Sequence, residues 1–140
     1  MRDLTNIICA QAMFELTAPD STVPVKVELA YSVRDPFAVE ASFRTGNSSA
    51  VVWVFARDLL ADGLGEPTGD GDVKVAPHPS DSGRVELSLN SPSGQATFTA
   101  CAGTLAEFLE RTYDAVPPGT EYSWLNLDDA LSDLLRPARD

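Results

Sequence analysis

Val23-Pro24-Val25-Lys26-Val27-Glu28-Leu29-Ala30-Tyr31 alternates with a period of two. That spacing puts Val23, Val25, Val27, Leu29 and Tyr31 on one face of a strand. Upstream, Ile8, Ala10, Ala12, Phe14 and Leu16 repeat the pattern, while the opposite face carries Ile7, Cys9 and Met13 before turning polar at Glu15. A strand apolar on both faces needs cover on both sides, and in a chain this short a subunit interface is the expected second cover. Ala18-Pro19-Asp20-Ser21 separates the two runs. Downstream, Arg34-Asp35-Pro36 signals a turn, because proline presets φ and aspartate bonds its own backbone. A third strand follows through Phe37, Val39 and Phe43 and ends at Gly46-Asn47-Ser48-Ser49. Val51-Val52-Trp53-Val54-Phe55 is a fourth, nearly continuous apolar strand. Four such runs joined by short turns predict an antiparallel meander.

The period then changes. Ala56-Arg57-Asp58-Leu59-Leu60-Ala61-Asp62 suits a short helix, with Gly63 placed to close it. Glu66-Pro67-Thr68-Gly69-Asp70-Gly71-Asp72 is a stretch of turn residues. A second β block places Val73 and Val75, then Val85, Leu87 and Leu89, then Ala96, Phe98 and Ala100, with turns at 77–83 and 91–94. Thr104 and Glu107 have the spacing of a capping box, and Leu105, Phe108, Leu109 and Thr112 follow a helical stripe that Pro117-Pro118-Gly119 ends. A last helix is expected from about Asn126 to Arg136, with Asp128 and Asp129 in its first turn and Arg136 in its last. The expected fold is α+β, one domain over residues 1–140, with a curved antiparallel β-sheet and helices packed on it.

Composition narrows the function classes. Ten Lys and Arg stand against 21 Asp and Glu, a formal net charge of −11. Phosphate backbones are held by cations, so this balance argues against nucleic acid unless the basic residues gather on one face. It equally disfavours an anionic membrane surface. The N-terminus has neither the charged region nor the apolar run of a signal peptide. No apolar stretch approaches the roughly 20 residues that span a bilayer. The expected location is cytoplasmic.

A search for chemistry returns little. His78, between Pro77 and Pro79, reads as a solvated turn residue rather than a catalytic base. Cys9 and Cys101 fall in predicted strands, where a cysteine behaves as a small hydrophobe. Two cysteines and one histidine at 9, 78 and 101 have no metal-ligand spacing. Asp70-Gly71-Asp72 lacks the third ligand and distal glutamate of a calcium loop, and Gly69 and Gly71 are followed by no Lys-Ser/Thr. The acidic pairs Asp58/Asp62 and Asp128/Asp129 read as solvated helix faces. The residues therefore predict no catalytic site, cofactor or metal, and attention passes to surfaces. Trp53 reads as core; Trp124, beside prolines in Tyr122-Ser123-Trp124-Leu125, is a candidate contact residue.

Trp53-Val54-Phe55-Ala56-Arg57-Asp58-Leu59-Leu60-Ala61-Asp62-Gly63-Leu64, continued by Pro67-Thr68-Gly69-Asp70-Gly71-Asp72-Val73, resembles the central signature of the SsgA-like proteins. Asp35-Pro36-Phe37-Ala38-Val39 resembles that family's Asp-Pro-aromatic-Ala stretch. Phe108-Leu109-Glu110-Arg111-Thr112 with Val116-Pro117-Pro118-Gly119-Thr120-Glu121 resembles its C-terminal helix and exit. The match covers about residues 23–135 and is closest to the SsgB branch. The resemblance implies a small, acidic, non-enzymatic protein of actinobacteria acting in sporulation-specific division. It further implies a fold similar to the Whirly class, assembly as a homotrimer, and recruitment of FtsZ, alone or with other SsgA-like and septum proteins, to future septum sites. Because FtsZ filaments are themselves acidic, the contact is expected through specific patches. The candidates are Arg57, Asp58, Asp62 and Leu64 on the short helix, Asp70 and Asp72 in the loop after it, and Trp124. The alternative is a single-stranded nucleic-acid-binding or regulatory protein, which the fold similarity suggests and the charge opposes.

Overall fold

The computed structural model describes residues 7–44 and 49–124. Seven strands follow the expected order: β1 Ile7–Thr17, β2 Thr22–Ser32, β3 Ala38–Arg44 and β4 Ala50–Ala56, then helix α1 Arg57–Gly63, then β5 Val73–Pro77, β6 Arg84–Ser91 and β7 Gly94–Cys101, then helix α2 Ala102–Ala115. They form one curled antiparallel sheet in the order β4-β3-β2-β1-β7-β6-β5. The two meanders meet where the end of β1 pairs with β7, Glu15 opposite Thr99 and Leu16 opposite Phe98.

Register explains the core. Phe14 faces Val25, Leu29 faces Ala41, Val39 faces Phe55 and Leu87 faces Phe98, so the buried positions of every strand share the concave face. Phe14 lies edge-on to Phe43 (5.9 Å) and Phe98 (6.5 Å) and ties the two meanders together. Leu105, Phe108 and Leu109 of α2 and Leu60 of α1 complete this core. The apolar stripe of α2, not its intrinsic propensity, fixes its position.

Several expectations are corrected. Gly63 does not cap α1 from outside; it ends the helix against β5, where a Cβ would stand 2.4 Å from Val75. The helix needs glycine for approach. Thr104 does not cap α2. The Ala102 N–H donates to the Gly83 carbonyl (2.9 Å), which starts the helix two residues early and leaves Thr104 inside its first turn. Cys9 and Cys101 are exposed, Cys9 on the outer sheet face and Cys101 where β7 passes into α2. Trp53 is only partly buried, packed on the core rather than within it. The helix expected over 126–136 lies outside the described residues.

Among the described residues, no helix or second sheet covers the outer face of β1 to β4. Across it run the rows Cys9–Ala30–Glu40–Val54 and Gln11–Glu28–Ser42–Val52. The apolar residues there, Ile7, Met13, Val52 and Val54, are each more than half exposed.

Candidate functional site

Arg57 opens α1 directly after β4, and its N–H donates to the Phe37 carbonyl (2.7 Å). This bond holds the strand-to-helix corner against the β2–β3 connection. It turns the Arg57 side chain inward, where it is 1% exposed. The guanidinium Nη1 donates to the Val116 carbonyl (2.8 Å) and to the carbonyl and hydroxyl of Thr112 (3.3 and 3.4 Å). Nη2 donates to Glu121 Oε2 at 2.6 Å. The rings of Tyr31 and Tyr113 flank the cation at 5.0 and 4.8 Å. A buried charge is tolerable only with this degree of pairing and hydrogen bonding. Nε remains buried without a partner among the described residues.

The surroundings show in the titrating groups. The Arg57 hydrogen bond holds the Glu121 carboxyl below its ordinary range against the opposing effect of burial. Burial pushes Tyr31 up to about 12, partly offset by Arg57, and its hydroxyl donates to the Pro36 carbonyl (2.8 Å). Burial also raises Tyr113, again opposed by Arg57, with Asp58 and Asp62 adding to the rise. The acidic side of α1 therefore lies within electrostatic reach of Tyr113.

Glu121 also accepts the Gly119 N–H through Oε1 (2.9 Å). It opens helical backbone over 121–124, where the described residues end. Pinned there, this segment presents Tyr122 (68% exposed) and Trp124 (38% exposed) to solvent. Tyr122 stacks edge-on with Phe37 at 5.1 Å. An internal ion pair thus supports an exposed aromatic patch drawn from residues 85 positions apart (122 minus 37). Tethered aromatic rings of this kind suit protein contact, since they bury large area at small entropic cost.

The sequence candidates divide accordingly. Arg57 is corrected from surface contact to internal pin, because its side chain is 1% exposed and paired with Glu121 inside the protein. Asp58 and Asp62 are exposed one turn apart on α1, Leu64 is half-buried at its C-terminal end, and Trp124 is exposed two residues beyond Tyr122. Asp70 and Asp72 are exposed in the α1–β5 loop. The Asp72 carbonyl accepts the Asn90 N–H (2.9 Å), so this loop is fastened to β6 and not to the Arg57 corner. Among the described residues no three His, Cys, Asp or Glu side chains gather as metal ligands. His78 Nδ1 accepts the Ser80 N–H (3.0 Å) in its turn. Sequence reasoning missed Glu121, Tyr31, Thr112 and Tyr113 as partners of Arg57, and Phe37 as a surface ring. Tyr31 and Thr112 sat on apolar stripes and read as packing. Only the Pro117-Pro118-Gly119 turn, which folds the chain back, hinted that Glu121 returns to the core.

Comparison with known proteins gives a consistent result. Residues 25–121 match the family model described as the Streptomyces sporulation and cell division protein SsgA. The chain is 57% identical over 125 residues to the sporulation-specific cell division protein SsgB of Saccharopolyspora erythraea, covering 89% of each. It is 47% identical over 132 residues to SsgB of Streptomyces coelicolor, covering 94% of this chain and 96% of that one. A solved structure from a study correlating SsgB mutations with longitudinal cell division during sporulation of Streptomyces coelicolor superposes with a TM-score of 0.80 at 46% identity, over 84% of this chain and 94% of the other. The crystal structure of an SsgA-like sporulation-specific cell division protein from Thermobifida fusca gives 0.86 at 39% identity, over 96% and 100%.

Proposed function

The chain belongs to the SsgA family of sporulation and cell division proteins, and on that premise we propose that it is a non-enzymatic adaptor that helps localise or stabilise the FtsZ septation machinery at future septum sites. It works at the septum from the cytoplasm, as a homo-oligomer, with the trimer as the expected state. Among the described residues no helix is long and apolar enough to cross a membrane, so septal placement comes through partners. The observation that carries this reading is the amount of large apolar surface left open: the Phe37–Tyr122 ring pair with Trp124 exposed two residues on, and the outer sheet face with Ile7, Met13, Val52 and Val54. In a chain with a formal net charge of −11, such surface supports contact with protein rather than with an anionic polymer. Two separate apolar surfaces suit a scaffold, one for self-association and one for the partner, and several copies in a closed ring convert weak contacts into firm localisation.

Sedimentation of the purified protein with polymerising FtsZ from the same source, beside its mass in solution, tests the proposal. Co-pelleting above a polymer-free control by an oligomer supports it. A folded oligomer that stays in the supernatant at low and physiological salt rules out direct recruitment.

A further inference from the structure

The outer face of the sheet holds one juxtaposition that the fold itself does not need. Val27 faces Phe43, and the next residue of each strand beyond that pair, Lys26 and Arg44, lines a shared concavity. Met13 lies across from Lys26 on β1, and Ala50 across from Arg44 on β4. Like charges on neighbouring strands are destabilising, and this chain has only ten cations among 140 residues. Arg57 is engaged by Glu121 and Arg84 by Glu15. Lys26 and Arg44 are exposed and have no ion pair among the described residues. They line one concavity of about 380 Å³ together with Gln11, Met13 and Glu28.

We propose that this concavity binds an acidic peptide segment of a partner protein, a carboxylate seated between Lys26 and Arg44 and a neighbouring apolar side chain on Met13. The assignment rests on the adaptor reading for the partner's being a protein, and it adds the chemistry that is recognised. Charge complementarity selects the occupant. Arg44 offers a planar fork suited to a carboxylate and Lys26 a mobile point charge. Met13, 55% exposed, supplies an adaptable apolar contact beside them. In the next row Glu28 and Gln11 stand opposite each other. Glu28 rejects a second carboxylate at that spacing, and both side chains offer oxygens to the N–H groups of an extended peptide. On a surface that otherwise repels acidic proteins, this pair is where one can be held, and it gives the contact a dependence on salt.

The test is fluorescence anisotropy with a labelled peptide alternating Glu and Leu, on the full chain. Saturable binding that weakens with salt, and that falls about tenfold or more in the Lys26→Ala/Arg44→Ala double variant, is expected. Lys26→Glu separates loss of the site from loss of the fold: it replaces repulsion by attraction to Arg44, so the peptide is lost while the melting temperature holds or rises. Equal binding by the double variant, or by a Gln-for-Glu peptide, overturns the site. Stronger binding of a single-stranded oligonucleotide, or displacement of the peptide by inorganic phosphate at equal concentration, overturns the peptide assignment. Co-pelleting with FtsZ while no acidic peptide binds rejects this site and leaves the adaptor reading standing. Peptide binding that the double variant abolishes, without co-pelleting, upholds the site and removes that reading.

Discussion

Arg57 and Glu121 lie 64 residues apart in the chain and meet at 2.6 Å in the interior, where the side chains are 1% and 9% exposed. Their pairing joins the strand-to-helix corner of the first meander to the chain that leaves α2. Because Arg57 also binds the Thr112 and Val116 carbonyls, the pair fastens the C-terminal end of α2, beside the bond that the Thr112 carbonyl accepts from the Val116 N–H (2.8 Å). Whatever the aromatic patch contacts, its geometry is set from beneath by this pair.

Removing the anion should cost more than removing the charge alone. Glu121→Ala leaves a buried guanidinium without its counterion and is expected to destabilise by about 3 kcal/mol, lowering the melting temperature by about 10 °C. Glu121→Gln keeps an acceptor for Nη2 and should cost clearly less. Urea unfolding of both variants checks the order; equal losses would mean that the ionic character of the contact is immaterial.

The same pair gives stability a direction with pH. The folded Glu121 carboxyl titrates below its ordinary 4.5, so its contribution is present above that value and is lost as pH falls through the lower folded one. The gap in stability between the wild-type chain and Glu121→Gln should be constant near neutrality and narrow on acidification below about pH 4.5. Tyr31 acts at the other end. Raised to about 12, it supports the fold while pH stays below its ordinary 10 and loses that support as pH rises from there towards 12. Tyr31→Phe should flatten this alkaline loss, which chemical unfolding across the alkaline range would show.

Gly63 is required for approach. Its missing Cβ would lie 2.4 Å from both Cβ and Cγ1 of Val75, so Gly63→Ala pushes α1 off β5 and should cost about 2 kcal/mol by overpacking. Combining it with Val75→Gly removes both clashing atoms and should recover part of the loss, a non-additivity expected only for residues in contact. Simple addition of the two penalties in thermal unfolding would argue against the clash.

The sheet was legible because one arithmetic governs it. A period of two places Phe14 inside, and the same parity makes Met13 an outer-face residue; seven strands read this way gave the right count and order along the chain. Two kinds of feature escaped. Local signals were outweighed by tertiary ones: Thr104 has a capping sequence, yet the bond from Ala102 to Gly83 begins the helix before it. Long-range polar pairing has no periodic trace. Arg57 stands in a motif rich in charge and reads as surface, and nothing near it in sequence announces Glu121, Tyr31 or Tyr113. The candidate contact residues legible from the motif, Asp58, Asp62, Asp70 and Asp72, are exposed as acidic surface residues should be. The aromatic patch draws Phe37 from a segment that reads as strand core.

That patch yields the prediction most directly tied to function. Tyr122 and Trp124 are exposed, and Tyr122 touches Phe37 without entering the core. Truncating them should leave the fold nearly unchanged, with Tyr122→Ala or Trp124→Ala each shifting stability by about 0.5 kcal/mol or less. If the patch holds a partner, each truncation should weaken that contact by about 2 kcal/mol, close to thirtyfold. The measurement is co-sedimentation of each variant with FtsZ polymer, set against its melting temperature and solution mass. Loss of co-pelleting at unchanged stability and oligomeric state assigns the patch to the partner. Loss of the oligomer instead assigns it to self-association, and the filament contact must then be sought on the outer sheet face.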